Sequence, residues 1–208
     1  MTRIEDAREA ARLGAWAIGL NHWERSPRRC EPASAVEIGA EMKRTLEVVG
    51  VFVNASLDEI AHAAEDECLT LIQLHGDEGL QFCREVSRRT GCDVIKALRV
   101  KTRADVQAAK AFRVGYHLLD THRAGVPGGT GENFDWDLLR GRRSKVPLIL
   151  AGGLRPDNVA EAISVTHPFA VDVASGVEAE PGLKDHALMA RFAEEANAAA
   201  AAREALAR

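Results

Sequence analysis

An aspartate closes the apolar run Tyr116-His117-Leu118-Leu119-Asp120, and two glycine-bearing stretches close two later runs. Ala151-Gly152-Gly153-Leu154 follows residues 146–150, and Ala174-Ser175-Gly176-Val177-Glu178 follows residues 169–173. A backbone without Cβ atoms lets N–H groups approach an anion closely, and a helix start adds partial positive charge. Gly152, Gly153, Ser175 and Gly176 therefore read as a phosphate cup, a feature the loops after the last two strands of a (β/α)8 barrel commonly carry. Asp120 stands at a strand end, the rim where barrel catalysis occurs. A carboxylate there can act as general acid, as general base, or as a cap on its own loop.

Other polar residues sit at similar strand ends. Arg28, in Ser26-Pro27-Arg28-Arg29, can bind a substrate carboxylate bidentately or lie in solvent. His75, in Gln73-Leu74-His75-Gly76, can hydrogen-bond a substrate or cap its loop. Lys96 has the character of either a Schiff-base lysine or a lysine paired with a neighbouring carboxylate, the commoner arrangement. The stretch Gly125-Val126-Pro127-Gly128-Gly129-Thr130-Gly131 is neither a P-loop, since no Lys-Ser/Thr follows, nor a dinucleotide fingerprint; it reads as a lid, a substrate-shaping loop or a long connection. The histidines show no metal-ligand spacing, so no metal site is expected. Cys68, Cys83 and Cys92 fall on apolar faces as core residues, and Cys30 is a loop thiol.

These residues need a scaffold of alternating strands and helices. Seven strand candidates, 15–20, 47–53, 69–74, 93–98, 115–119, 146–150 and 169–173, are nearly continuous apolar runs, as strands buried on both faces are. Eight helix candidates accompany them: 4–13, 33–44, one starting at a Ser56/Glu59 capping box, 77–90, one starting at a Thr102/Asp105 box, 134–141, one with Pro156 in its first turn, and 185–206. Thr2-Arg3-Ile4-Glu5 also reads as a capping box, so the chain opens on a helix with no strand in front of it. That leaves either an open seven-stranded sheet or an incomplete N-terminus, because a closed barrel has no unpaired edge.

The 208 residues suit one domain, 1–208, and the formal charge of −4, from 31 acidic and 27 basic residues without long runs, excludes a broad nucleic-acid surface. The first fifteen residues carry Glu5, Asp6 and Glu9, unlike a signal peptide, and no apolar run is long enough for a membrane span. Four cysteines without a C-x-x-C pair fit a reducing compartment, so a cytoplasmic location is expected.

Six segments in order resemble the phosphoribosylanthranilate isomerases of tryptophan biosynthesis: Gly50-Val51-Phe52-Val53-Asn54, Gln73-Leu74-His75-Gly76-Asp77, Leu118-Leu119-Asp120-Thr121, Gly128-Gly129-Thr130-Gly131-Glu132-Asn133-Phe134-Asp135-Trp136, Leu150-Ala151-Gly152-Gly153-Leu154 and Asp172-Val173-Ala174-Ser175-Gly176-Val177-Glu178. The resemblance implies a (β/α)8 TIM barrel catalysing an Amadori rearrangement of N-(5-phosphoribosyl)anthranilate, an aldose–ketose isomerisation with neither metal nor organic cofactor. It implies that Asp120 protonates the furanose ring oxygen, Arg28 binds the anthranilate carboxylate, Asp172 lies beside the sugar hydroxyls, and Gly152, Gly153, Ser175 and Gly176 hold the phosphate. His75 joins the substrate-binding set. The partner is a small phosphoribosyl substrate, with no nucleic acid or membrane, in a monomer or homodimer.

Two departures stand out. The family's base is a cysteine in a Lys-x-Cys-Gly-x-Thr-Arg motif on the first strand, of which only Met1-Thr2-Arg3 matches. The expectation is thus a barrel with seven strands and eight helices, lacking strand 1 and that cysteine, with impaired turnover. Gly19-Leu20-Asn21-His22-Trp23 also stands where the family more often has Gly-Phe-x-Phe. A second reading keeps the cup without the base, as a non-catalytic phosphosugar-binding barrel.

Overall fold

The computed structural model describes residues 1–120 and 136–206. Each short apolar run becomes a parallel strand and each amphipathic stretch between them returns the chain to the starting end. The order is α1 (Ile4–Arg12), β1 (Ala17–Asn21), α2 (Pro32–Met42), β2 (Glu47–Phe52), α3 (Leu57–Asp66), β3 (Leu71–Leu74), α4 (Leu80–Thr90), β4 (Asp93–Arg99), α5 (Arg103–Ala109) and β5 (Tyr116–Asp120). After it come β6 (Leu148–Ala151), α6 (Val159–Thr166), β7 (Ala170–Val171), a hairpin of β8 (Glu178–Glu180) and β9 (Leu183–Lys184), and α7 (His186–Leu206).

Strands β1 to β7 pair in chain order, all parallel, and β8 pairs antiparallel with β9. The period of two sorts their side chains into two layers. Val49, Leu71, Ile95, Ala97, Leu118, Ile149 and Ala151 pack together inside the sheet's curve. Ile18, Leu20, Val48, Ile72, Leu74, Val94, Leu119, Leu148 and Leu150 join the helices outside it. Extending the inner alternation to the strand ends brings Gln73, Arg99, Asp120 and Asp172 onto the interior face at the C-terminal mouth.

The structure corrects the expected barrel in two respects. The sheet's first strand is not missing: β1 is in place and paired with β2 from Ala17↔Glu47 to Asn21↔Val51, so the barrel is an open seven-stranded one with no ladder between β7 and β1. Aromatic side chains bridge those edges at the N-terminal end. Trp16, just before β1, meets Phe169, just before β7, edge-on at 5.1 Å, and Tyr116 of β5 packs on both at 5.2 and 5.3 Å. Midway along β1 the Met1 amine donates to the Gly19 carbonyl, occupying one edge acceptor.

There are also seven α-helices among the described residues, not eight. The candidate at 134–141 begins outside the described residues. Its described part is a 3₁₀ turn, Trp136–Leu138, in which Leu139 N–H donates to Trp136 and Arg140 N–H to Asp137, the i to i+3 pattern that does not extend into an α-helix. The glycine-rich stretch 125–131 lies outside the described residues altogether.

The capping boxes at Ser56/Glu59 and Thr102/Asp105 form in full. That at Thr2 does not, because its hydroxyl turns away to the Gly182 carbonyl, and α1 has no side-chain cap. Pro156 precedes α6 within a turn closed by Asn158, whose Oδ1 accepts from Arg155 N–H at 2.8 Å. Among the described residues no helix is long and apolar enough to cross a membrane.

Candidate active site

The mouth is built from strand ends that differ in sequence by up to a hundred residues. On β3, Gln73 donates its amide to His75 Nδ1 at 3.2 Å, so the imidazole carries its proton on Nε2. Nε2 stands 3.7 Å from Oδ2 of Asp120 at the end of β5. Asp172 lies just past β7, near enough for both Asp120 and His75 to act on it electrostatically. Solvent reaches Asp172 through the open mouth, yet crowding protein desolvates its carboxylate and raises its pKa. Asp120 adds to that rise, while Lys184 and His75 oppose it.

On the other side, the loops after β6 and β7 touch. Gly153 adopts φ +65°, a left-handed backbone that a residue with a Cβ resists. At Gly176 a Cβ would stand 1.9 Å from the Leu154 carbonyl oxygen, so only glycine lets the 3₁₀ turn Ser175–Val177 seat against the Gly152-Gly153 loop. Asn158 holds that loop by donating to the Gly153 carbonyl at 3.1 Å. The two loops expected to form the phosphate cup, Gly152-Gly153 and Ser175-Gly176, thus pack against each other.

Arg28 is not loose in solvent. Its Nε and Nη2 grip the Glu178 carboxylate at 2.7 to 2.9 Å, and Lys184 Nζ reaches the same carboxylate at 3.1 Å. The Glu178 side chain is 4% exposed, Arg28's 32%. Burial alone would raise the Glu178 pKa, but Arg28 and Lys184 outweigh it and hold the carboxyl below its ordinary value. Two cations thus share the Glu178 carboxylate, and Lys184 also acts electrostatically on Asp172.

Sequence reasoning missed Glu178 and Lys184 as partners of Arg28. The signal was present: Pro181-Gly182 between Glu178-Ala179-Glu180 and Leu183-Lys184 is a turn dipeptide, with Gly182 at φ +89°. It also missed Gln73 behind His75 and Arg99, which pairs in register with Asp120. Lys96 does form the ion pair that is the commoner arrangement. It faces the helix layer, 2.7 Å from Glu78, and donates to the carbonyls of Leu74 and Gly76.

Cys30, Cys83 and Cys92 are buried, and burial raises each thiol's pKa, so none of the three is a ready thiolate. Among the described residues no group of three or more histidine, cysteine or acidic side chains is placed to hold a metal ion.

Residues 1–195 match the family model described as N-(5'phosphoribosyl)anthranilate (PRA) isomerase. The chain belongs to that isomerase family. It is 45% identical over 193 residues to N-(5'-phosphoribosyl)anthranilate isomerase of Geotalea uraniireducens, covering 92% of this chain and 93% of the relative. The crystal structure of the Thermotoga maritima phosphoribosyl anthranilate isomerase superposes with a TM-score of 0.86 at 39% identity, covering 95% of this chain and 96% of that one. A structure of the isomerase in complex with reduced 1-(o-carboxyphenylamino)-1-deoxyribulose 5-phosphate gives 0.83 at 38%, covering 95% of both chains. The likeness thus runs over nearly the whole of each chain.

Proposed function

We propose that this chain isomerises N-(5'-phosphoribosyl)anthranilate to 1-(2-carboxyphenylamino)-1-deoxyribulose 5-phosphate, the Amadori rearrangement of tryptophan biosynthesis. The observation that carries this reading is the gathering of three unlike groups by the loops that follow the strands: a pair of glycine-bearing loops, a carboxylate–imidazole pair, and an arginine held by an internal carboxylate. They match the three parts of the substrate, a phosphate, a ribose ring and an aromatic carboxylate.

The phosphate sits on the backbone of Gly152, Gly153, Ser175 and Gly176, which anchors the substrate far from the reacting bond. Asp120 gives its proton to the furanose ring oxygen as the C1–O bond breaks and the anthranilate nitrogen forms the Schiff base. The C2 proton then passes to solvent at the open mouth, giving the enolamine, which becomes the ketose by taking a proton at C1 and releasing that of its C2 hydroxyl. His75, fixed by Gln73, directs Nε2–H at the Asp120 carboxylate and steadies its charge after the proton has left. Asp172 hydrogen-bonds the sugar hydroxyls. Arg28, held in place by Glu178 and with its Nη1 making no hydrogen bond among the described residues, binds the anthranilate carboxylate. The chemistry is acid–base throughout, in a cytoplasmic protein acting on a small phosphoribosyl substrate as a monomer or homodimer.

Steady-state turnover of N-(5'-phosphoribosyl)anthranilate tests the assignment. Asp120→Asn is expected to lower kcat by about 10² to 10⁴ with KM little changed, the usual loss when a general acid is removed. An Asp120→Asn enzyme with wild-type kcat would remove Asp120 from the chemistry, and a wild-type chain without turnover would overturn the proposed function.

A further inference from the structure

At the opposite end of the barrel from the mouth, a cavity of about 540 Å³ opens between the start of β6 at Leu148, the end of α6, and Arg203 of α7. That volume lies in the range of small-molecule sites. Arg140, Arg142, Lys145, His167 and Arg203 all line it, and among the described residues no aspartate or glutamate does. In a chain whose formal charge is −4, such a concentration of cations calls for a reason.

Internal neutralisation accounts for one of them. Arg140 pairs with Asp137 at 2.8 Å. Arg142 and Arg203 meet only neutral acceptors among the described residues: Arg142 Nη2 donates to the Val146 carbonyl at 2.9 Å and to His117 Nδ1 at 2.8 Å, and Arg203 Nη1 to the Pro168 carbonyl at 3.2 Å. His117 cannot neutralise Arg142, since an imidazole carries no negative charge; its Nε2–H donates to the Phe112 carbonyl, and burial lowers its pKa. Arg142 Nε is buried with no partner among the described residues. The C-terminus of α6 brings about half a negative charge to the cavity, well short of the charges of Arg142, Lys145 and Arg203.

We propose that this cavity is a second anion site, separate from the phosphate cup, that binds a small phosphorylated molecule carrying more than one negative charge. Arg142 is the fixed element, tied to the barrel wall through His117. Lys145 and Arg203 close on the ligand from opposite sides, β6's approach and α7. The site lies at the end where barrel enzymes keep no chemistry, so an occupant there is not a substrate in turnover.

Inorganic pyrophosphate is the probe, titrated calorimetrically into wild type and into a Lys145→Ala/Arg203→Ala variant, with the histidine ring resonances followed by NMR. The expected result is saturable binding that shifts His167, which lines the cavity, and leaves His75 in the mouth unmoved. The double variant is expected to bind about tenfold or more weakly, with kcat/KM for the isomerase reaction unchanged. Lys145→Glu, a single exposed charge reversal, is expected to weaken binding in the same direction, and thermal melting checks that both variants are folded. Equal affinity in the folded variants, shifts confined to His75, or no saturable binding to wild type would each overturn the second site.

Discussion

Two glutamates, Glu78 and Glu178, are each buried with a cation, and they do opposite kinds of work. Glu78 is 3% exposed and its partner Lys96 2%, and every strong group in that cluster is spoken for: the carboxylate accepts from Lys96 and from the N–H groups of Asn54 and Gly76, while the ammonium also reaches two carbonyls. The pair lies on the helix side of β4 and ties the loop after β3 to the sheet. Glu178 is equally buried, but its two cations differ from Lys96. Lys184 is 9% exposed and Arg28 32%, so the cluster ends in a guanidinium at the mouth. A closed pair spends all its hydrogen bonds on the fold; an open one holds a cation in place for something else.

Breaking the closed pair should give the largest effect, and on stability alone. Lys96→Met leaves Glu78 buried without its cation, and removing one partner of such a pair typically costs about 3–5 kcal/mol. Urea unfolding is expected to show that loss. Adding Glu78→Gln to Lys96→Met should recover part of it, since the amide oxygen still accepts from a backbone N–H. KM for the isomerase substrate should stay at the wild-type value in whatever folded fraction remains. A rise in KM comparable to that from loosening Arg28 would mean that the two clusters are not separable.

Glu178→Gln breaks the open cluster instead. A neutral amide no longer clamps two cations, so Arg28 and Lys184 repel one another and the guanidinium loses its fixed position. The expected outcome is a KM raised by about tenfold with a smaller change in kcat, the pattern of lost ground-state binding. Stability should fall as well, because Glu178 holds its charge below the ordinary carboxylate range in the folded chain. The sign follows from linkage. A depressed folded pKa contributes stability above the unfolded value, near 4.3, and that contribution disappears as the pH falls through the folded pKa. Wild type should therefore lose more stability on acidification below pH 4.3 than Glu178→Gln does. Matching acid limbs would detach Glu178 from the fold's pH dependence.

The same contrast marks how far the sequence could be read. Strand ends are legible because a buried parallel strand is a continuous apolar run and the first polar residue after it must stand at the rim; Asp120, His75, Gly152-Gly153 and Ser175-Gly176 all fall there. The helix starts at Ser56 and Thr102 were legible for a local reason, a cap and its partner three residues apart. Thr2 carries the same local pattern, but its hydroxyl is drawn off by Gly182, a contact across 180 residues that no local signal contains. Arg28 and Glu178 are 150 residues apart, so the arginine's readiness was invisible although its position was not. The sheet's closure was misread for a related reason. Counting strands gives a missing one, whereas Trp16, Tyr116 and Phe169 hold the edges of β1 and β7 together by side chains from three separate segments.

Asp172 gives the smallest effect and the sharpest test of the distinction, because there stability and binding should move in opposite directions. Its carboxylate is desolvated by the surrounding protein and faces Asp120, so its folded pKa is raised rather than lowered. A raised carboxylate costs stability above the folded pKa, and the cost vanishes as the pH falls below the unfolded value near 3.9. Asp172→Asn removes that charge while keeping the side chain's shape and its ability to hydrogen-bond. At neutral pH its Tm should rise slightly above wild type, and the two should converge as the medium is made acidic. KM should meanwhile increase a few-fold, since the amide is a poorer acceptor for the sugar hydroxyls than the carboxylate is. A Tm at neutral pH below that of wild type would show that Asp172 is structural like Glu78, and would move it from the open part of the molecule to the closed one.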